Sequence, residues 1–137
     1  MVVMARPATR IGDDPGLAEL RMICLALPGT EETTSHAGPK WRAGRVFAAF
    51  GGFRWLSSGE QLRVPSALVF TPDPVDLPAI DEDDRFFVPA YYGPRGGRAI
   101  DLDGPEVDWV EIAELVDASY RQVAPAALIA RLDARTG

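Results

Sequence analysis

A chain of 137 residues, 47% of them hydrophobic, can build one buried core and is short for two domains. A formal net charge of -6 excludes a domain that coats nucleic acid indiscriminately, since such domains carry a basic excess. Cys24 is the only cysteine, which excludes an internal disulfide and any multi-cysteine zinc site.

Residues 1–12 lack periodicity and read as a loose N-terminal arm ahead of a single domain over 13–137. The apolar stretch at Met1 to Met4 is too short for a secretory signal, and no apolar run reaches the roughly 20 residues that span a bilayer. The expectation is a cytoplasmic protein with no membrane contact. Asp14 is placed to cap a first helix, Pro15 suits its first turn, and Leu17, Leu20, Cys24 and Leu27 recur at helical spacing before Pro28-Gly29 stop it.

Short strands follow. Residues 40–42 alternate, residues 45–50 are apolar on both faces, and Ala43-Gly44 between them predicts a two-residue hairpin turn. Breaks at Gly51-Gly52 and Ser58-Gly59 precede an extended run over 62–70, in which Pro65 marks an edge or a bulge. Residues 71–84 hold Pro72, Pro74 and Pro78 and predict a short helix or an acidic loop. Residues 86–88 and 98–102 read as two further strands separated by a glycine-rich loop.

The clearest element is a helix over 108–123. Asp108 and Glu111 make a capping box, and Trp109, Ile112, Ala113, Val116, Tyr120 and Val123 form its apolar stripe. Pro125 opens a terminal helix carrying Leu128, Ile129 and Leu132. The order predicts an α+β two-layer sandwich, with an antiparallel sheet of about five strands and the N- and C-terminal helices on one face.

No catalytic, metal or cofactor motif stands out. Cys24 lies on an apolar helical stripe, where a buried inert thiol is the ordinary outcome, and the lone His36 has no partner arrangement for nucleophilic catalysis. The glycines match neither a phosphate-binding loop nor a dinucleotide fingerprint, and Asp81 to Asp84 lack the ligand spacing of a calcium loop. The expectation is a non-enzymatic binding protein without metal or cofactor.

Charge is distributed in blocks. Residues 35–64 carry five basic residues against Glu60 alone, 73–84 carry six acids and no base, 85–98 three arginines and no acid, and 101–117 seven acids and no base. A basic patch on an acidic protein follows. With Ala43-Gly44 as a two-residue turn, Arg42 and Arg45 would face each other across the hairpin, where like charges repel. They call for a phosphate ligand, or for internal neutralisation by acids such as Asp81 to Asp84.

The same segments resemble the MmcQ/YjbR family over residues 20–132. The likeness is carried by Leu25-Ala26-Leu27-Pro28-Gly29, by Gly38-Pro39-Lys40-Trp41-Arg42-Ala43-Gly44-Arg45-Val46-Phe47-Ala48, by Asp84-Arg85-Phe86-Phe87-Val88-Pro89 with Tyr92-Gly93-Pro94-Arg95-Gly96, and by Asp108-Trp109. Trp41 stands where the family usually has Phe, and Gly97 where it often has Trp. The resemblance implies a frataxin-like or secretion-chaperone-like α/β sandwich. It also implies binding of double-stranded DNA through two hairpin wings, near 41–45 and 91–98, with Lys40, Trp41, Arg42, Arg45, Tyr92, Arg95 and Arg98 as the contacting residues. The alternative partner is another protein or a small ligand bound on the same scaffold.

Overall fold

The computed structural model describes residues 14–35, 38–93 and 96–136. The expected N-terminal arm over 1–12 and His36 lie outside the described residues.

Helix α1 (Leu17–Leu25) buries Leu17, Leu20 and Cys24, the stripe read from the sequence. It starts later than Asp14 and Pro15 suggest. Gly16 is the cap, in the left-handed region and without a side-chain bond, while Asp14 contributes only its carbonyl, which accepts from the Leu17 N–H at 3.1 Å.

Strands β1 (Glu31–Ser35), β2 (Gly38–Ala43), β3 (Arg45–Trp55) and β4 (Gln61–Phe70) follow in an antiparallel meander. A 3-10 turn at Pro74–Asp76 leads into the short helix α2 (Leu77–Glu82). Then come β5 (Phe86–Phe87) and β6 (Arg98–Asp101), giving a six-stranded sheet in the order β1-β2-β3-β4-β6-β5. The strand beyond the expected five is β1, an all-polar segment at the sheet edge.

Helix α3 (Trp109–Val123) is capped by the Asp108 carboxylate, which accepts from the N–H groups of Val110 and Glu111 at 3.0 and 3.3 Å. The reciprocal half of the expected capping box is replaced by an ion pair, since the Glu111 carboxylate takes two bonds from Arg85. Helix α4 (Ala126–Thr136) closes the chain and buries Leu132.

The helices share one face of the sheet. Leu17, Leu20 and Cys24 of α1, Ile80 of α2, Ile112, Val116 and Tyr120 of α3 and Leu132 of α4 join Trp41, Phe47, Phe50, Leu68, Phe70 and Ile100 in one core. Tyr120 meets Phe47 edge-on at 5.3 Å and donates its hydroxyl to the Pro28 carbonyl at 2.6 Å, tying α3 to the chain leaving α1. The fold is the α+β sandwich expected. The other face carries a smaller apolar cluster of Ala49, Val69 and Ala99, covered in part by Phe87 and Tyr92.

Two register shifts shape β3. Arg42 opposes Val46 and Ala43 opposes Arg45 across the turn, and between Trp41 and Arg42 the pairing slips by one residue so that Trp41 opposes Ala48. Between Phe50 and Gly52, two steps along β3 match four along β4, from Leu68 to Val64 past Pro65. Proline has no N–H for the ladder, so the bulge falls where Pro65 suggests.

Candidate functional site

The residues expected to contact a ligand divide sharply. Trp41 is not at the surface: its side chain is 0% exposed within the main core, and its indole N–H donates to Glu32 Oε1 at 2.9 Å. Glu32 also takes three bonds from Arg21, at 2.9 and 3.2 Å from Nε and 3.0 Å from Nη2, and these hold its carboxyl below the usual range. An aromatic ring placed directly opposite Glu32 on the helix side of the sheet is packing material.

Arg98 is likewise occupied. It makes a two-pronged ion pair with Asp81, at 2.7 and 3.1 Å, and a bond to the Gly97 carbonyl, because its strand position brings it beside the acidic end of α2. That arginine bond lowers the Asp81 carboxyl. Arg85 is held in the same way between Asp83 and Glu111, and Asp83 is lowered to about 2 by its hydrogen bonds to Arg85. The acidic run at 81–84 thus neutralises Arg85 and Arg98, and not Arg42 or Arg45.

Tyr92 is half-buried and packs on the Ala49, Val69 and Ala99 cluster. A Cβ at Gly97 would lie 2.9 Å from the Tyr92 Cβ and carbonyl oxygen, so the tyrosine leaves no room for a larger residue there. Arg95 lies outside the described residues.

Lys40, Arg42 and Arg45 remain as cations without an ion pair among the described residues, with Lys40 half-buried and the two arginines exposed. The predicted opposition of Arg42 and Arg45 does not occur. Gly44 alone turns the chain, at φ 79°, a conformation that favours glycine, and Arg42 stands instead beside Glu31 of β1.

The two expected wings do not meet. The 41–45 turn sits at the beginning of β3, whereas the loop after β5 reaches the far end of that strand: Pro89 bridges Arg54, and the Ala90 N–H donates to the Phe53 carbonyl at 2.8 Å. The neighbour of this loop is the distal half of the β3–β4 hairpin, which Gly51-Gly52 disguised in the sequence as a break. Gln61 locks the two together by donating from Nε2 to the Tyr91 hydroxyl at 2.9 Å.

This shared end of the sheet presents a distinct surface. Trp55 and Gln61 are paired across the hairpin, and Phe53 pairs with Arg63 one step inward on the same side. Trp55 is 54% exposed and Tyr91 70% exposed, and Tyr91 holds a left-handed backbone (φ 74°) that costs a non-glycine residue about 1–3 kcal/mol. Arg63 is exposed without an acid partner, and the Arg54 guanidinium lies 5.1 Å over the Phe87 ring. Arg54, Trp55 and Arg63 are therefore candidate residues that sequence reasoning missed, whereas Tyr91 lies in the loop it marked as a wing. The basic excess over 35–64 was their available signal.

The helical side offers a different feature. An open groove of about 680 Å³ lies between α1 and α3, floored by Met22, Ile23, Trp109 and Val110 and rimmed by Glu19, Glu114 and Asp117. Burial pushes the Cys24 thiol up, so it remains a protonated core group. Among the described residues no group of three or more histidine, cysteine, aspartate or glutamate side chains could hold a metal ion, and no helix is long and apolar enough to cross a membrane.

A model of the YjbR family matches residues 25–122. No curated protein and no solved structure matches the chain.

Proposed function

From the premise that the chain belongs to the MmcQ/YjbR family, we propose that it is a cytoplasmic, non-enzymatic DNA-binding protein whose contact surface is the end of the sheet where the β3–β4 hairpin meets the loop after β5. The observation that carries this reading is the Gln61–Tyr91 lock between two adjoining loops, with Arg54, Arg63, Trp55 and Tyr91 exposed around it. Two neighbouring protrusions support a double-wing reading in which the β3–β4 hairpin replaces the expected wing at 41–45 and the loop after β5 is kept. Lys40 and Arg42 add cations toward the start of β3.

Arg85 and Arg98 are spent on internal pairs and leave few cations for phosphate. A weak, sequence-independent contact follows. Titration of labelled duplex tests it: affinity should fall with salt at a log–log slope no steeper than about -3, from roughly three phosphates, and Arg63→Ala should flatten that slope by about one. No binding at tens of micromolar protein in about 50 mM salt would overturn the reading, because nonspecific complexes form in that range.

The α1–α3 groove favours a second reading, a binding site for a protein or small ligand on the helical layer. Its apolar floor and acidic rim suit a cationic partner. Loss of that partner on Met22→Asp, with duplex binding intact, would assign the groove separately.

A further inference from the structure

Bases within a duplex present only their edges to a protein, whereas an exposed aromatic side chain presents a flat face. A flat face gains most from an unpaired base, on which it can stack whatever the sequence. The tip of the β3–β4 hairpin has this character. Trp55 exposes more than half its surface at the last pair of the hairpin, and its cross-strand partner Gln61 reaches Tyr91, whose ring is the most exposed aromatic near it.

The backbone that carries Trp55 is held by the Trp55–Gln61 strand pair, and the Tyr91 hydroxyl by its bond from Gln61, with the Pro89–Arg54 bridge two residues before it. Tyr91 keeps a left-handed backbone that glycine would adopt at no cost. Arg63 stands diagonal to Trp55 on the same side of the hairpin, at a spacing that long side chains can bridge, so a phosphate joining two stacked bases would meet a cation. Glu60 is the acid nearest the turn, and its carboxylate accepts from the Ser58 hydroxyl at 3.2 Å.

Resting on the DNA reading of this same site, we infer that the hairpin tip binds unpaired nucleotides, and that the preferred substrate is DNA with a single-stranded end or fork. Trp55 and Tyr91 supply the stacking faces. Arg63 supplies the phosphate contact, and the duplex portion lies against the remaining cations. Arginine beside the rings favours a nucleic acid over an apolar protein surface.

The test uses the full chain and two labelled probes, a blunt duplex of about 20 base pairs and the same duplex extended at one 3′ end by about six unpaired thymines, a length within the usual site size. By fluorescence anisotropy the extended probe should bind about tenfold tighter. Trp55→Ala should remove that advantage, so that the extended and blunt probes bind alike, while Trp55→Phe should restore most of it. Free oligothymidine should quench part of the tryptophan emission, and Trp55→Phe should abolish the quenching, since Trp41 is fully buried and Trp109 lines the α1–α3 groove on the helical layer.

Equal affinity for the two probes would overturn the inference and leave duplex binding standing. Absence of binding to either probe would overturn both. Concentration-dependent self-association without DNA, abolished by Trp55→Ala, would assign the rings to a second copy of the chain and overturn the inference as well.

Discussion

Replacing Glu32 by Ala should cost more stability than its half-buried position suggests, because the carboxylate completes the hydrogen bonding of a fully buried tryptophan. Glu32 Oε1 is the acceptor for the Trp41 indole N–H at 2.9 Å, and Trp41 is 0% exposed. Truncation strands that donor in the core at about 1–3 kcal/mol. The Arg21 pair adds less than about 1 kcal/mol, since its side chains retain 34% and 22% exposure and solvent screens them. The total for Glu32→Ala is about 1–4 kcal/mol, a sizeable part of a typical domain's stability. Glu32→Gln keeps an acceptor for the indole and should cost about 1 kcal/mol.

The two variants also separate by pH. The Arg21 hydrogen bond, followed by that of Trp41, lowers the folded Glu32 carboxyl below its unfolded value. A lowered carboxyl contributes stability that is present above the unfolded value of about 4.3 and is lost as pH falls through the folded value. The gap between wild type and Glu32→Gln should therefore close below about pH 4. Urea denaturation followed by tryptophan emission at several pH values measures both effects. A Glu32→Ala protein within about 0.5 kcal/mol of wild type, a difference typical of ordinary surface sites, would refute the assigned role.

Ser119 is fully buried, donating to the Phe47 carbonyl at 2.6 Å and accepting from the Thr71 N–H at 2.8 Å. Ser119→Ala should lower stability by about 2–3 kcal/mol, because two backbone groups lose their partner together, and thermal unfolding reads it. Cys24 should resist thiol reagents in the native protein and react at the rate of global unfolding; rapid native labelling would contradict its burial on α1.

What the sequence disclosed about this fold is what period alone can carry. The stripe of Ile112, Val116 and Tyr120 fixes the face of α3, and Leu17, Leu20 and Cys24 fix that of α1. Strand β1 was invisible because Glu31 to Ser35 are polar and mostly exposed at a sheet edge, with no alternation to read. The β3–β4 hairpin was hidden for a different reason, since Gly51 and Gly52 read as a break when they belong to a continuous strand with a bulge.

The candidate site was less legible than the fold, because its key facts are pairings between distant residues. Trp41 and Trp55 are the same residue type in neighbouring strand segments. Only the register opposite Glu32 makes one of them core, and only the loop after β5 makes the other part of a surface. Arg98 and Arg63 look alike in a charge count, yet one lies beside Asp81 of α2 and the other at a hairpin tip. A turn of one residue at Gly44, in place of the expected two, was enough to undo the expected opposition of Arg42 and Arg45.

The acidity of the whole chain bears on how DNA binding would depend on salt. Many of its acids are consumed in place: Glu32 by Arg21, Asp81 by Arg98, Asp83 and Glu111 by Arg85, and Asp117 by Arg121. Glu19 and Glu114 rim a groove on the helical layer, whereas Lys40, Arg42, Arg45 and Arg63 lie on β2, β3 and β4. At physiological ionic strength charges are screened over about 8 Å, so a phosphate at the hairpin tip responds first to Arg63 and to Glu60, the acid nearest the turn. At about 0.01 M the screening length grows to about 30 Å, and the net charge of -6 then opposes approach of the polyanion. The log–log plot of affinity against salt should be linear above about 0.1 M and flatten as ionic strength falls toward 0.01 M, instead of rising without limit. Neutralising Glu19 and Glu114 together brings the net charge to -4 and should lessen the flattening without changing the high-salt slope. A straight line for wild type across the whole range would show that these acids do not act on the ligand, and would remove the charge segregation from the account of how this acidic chain meets DNA.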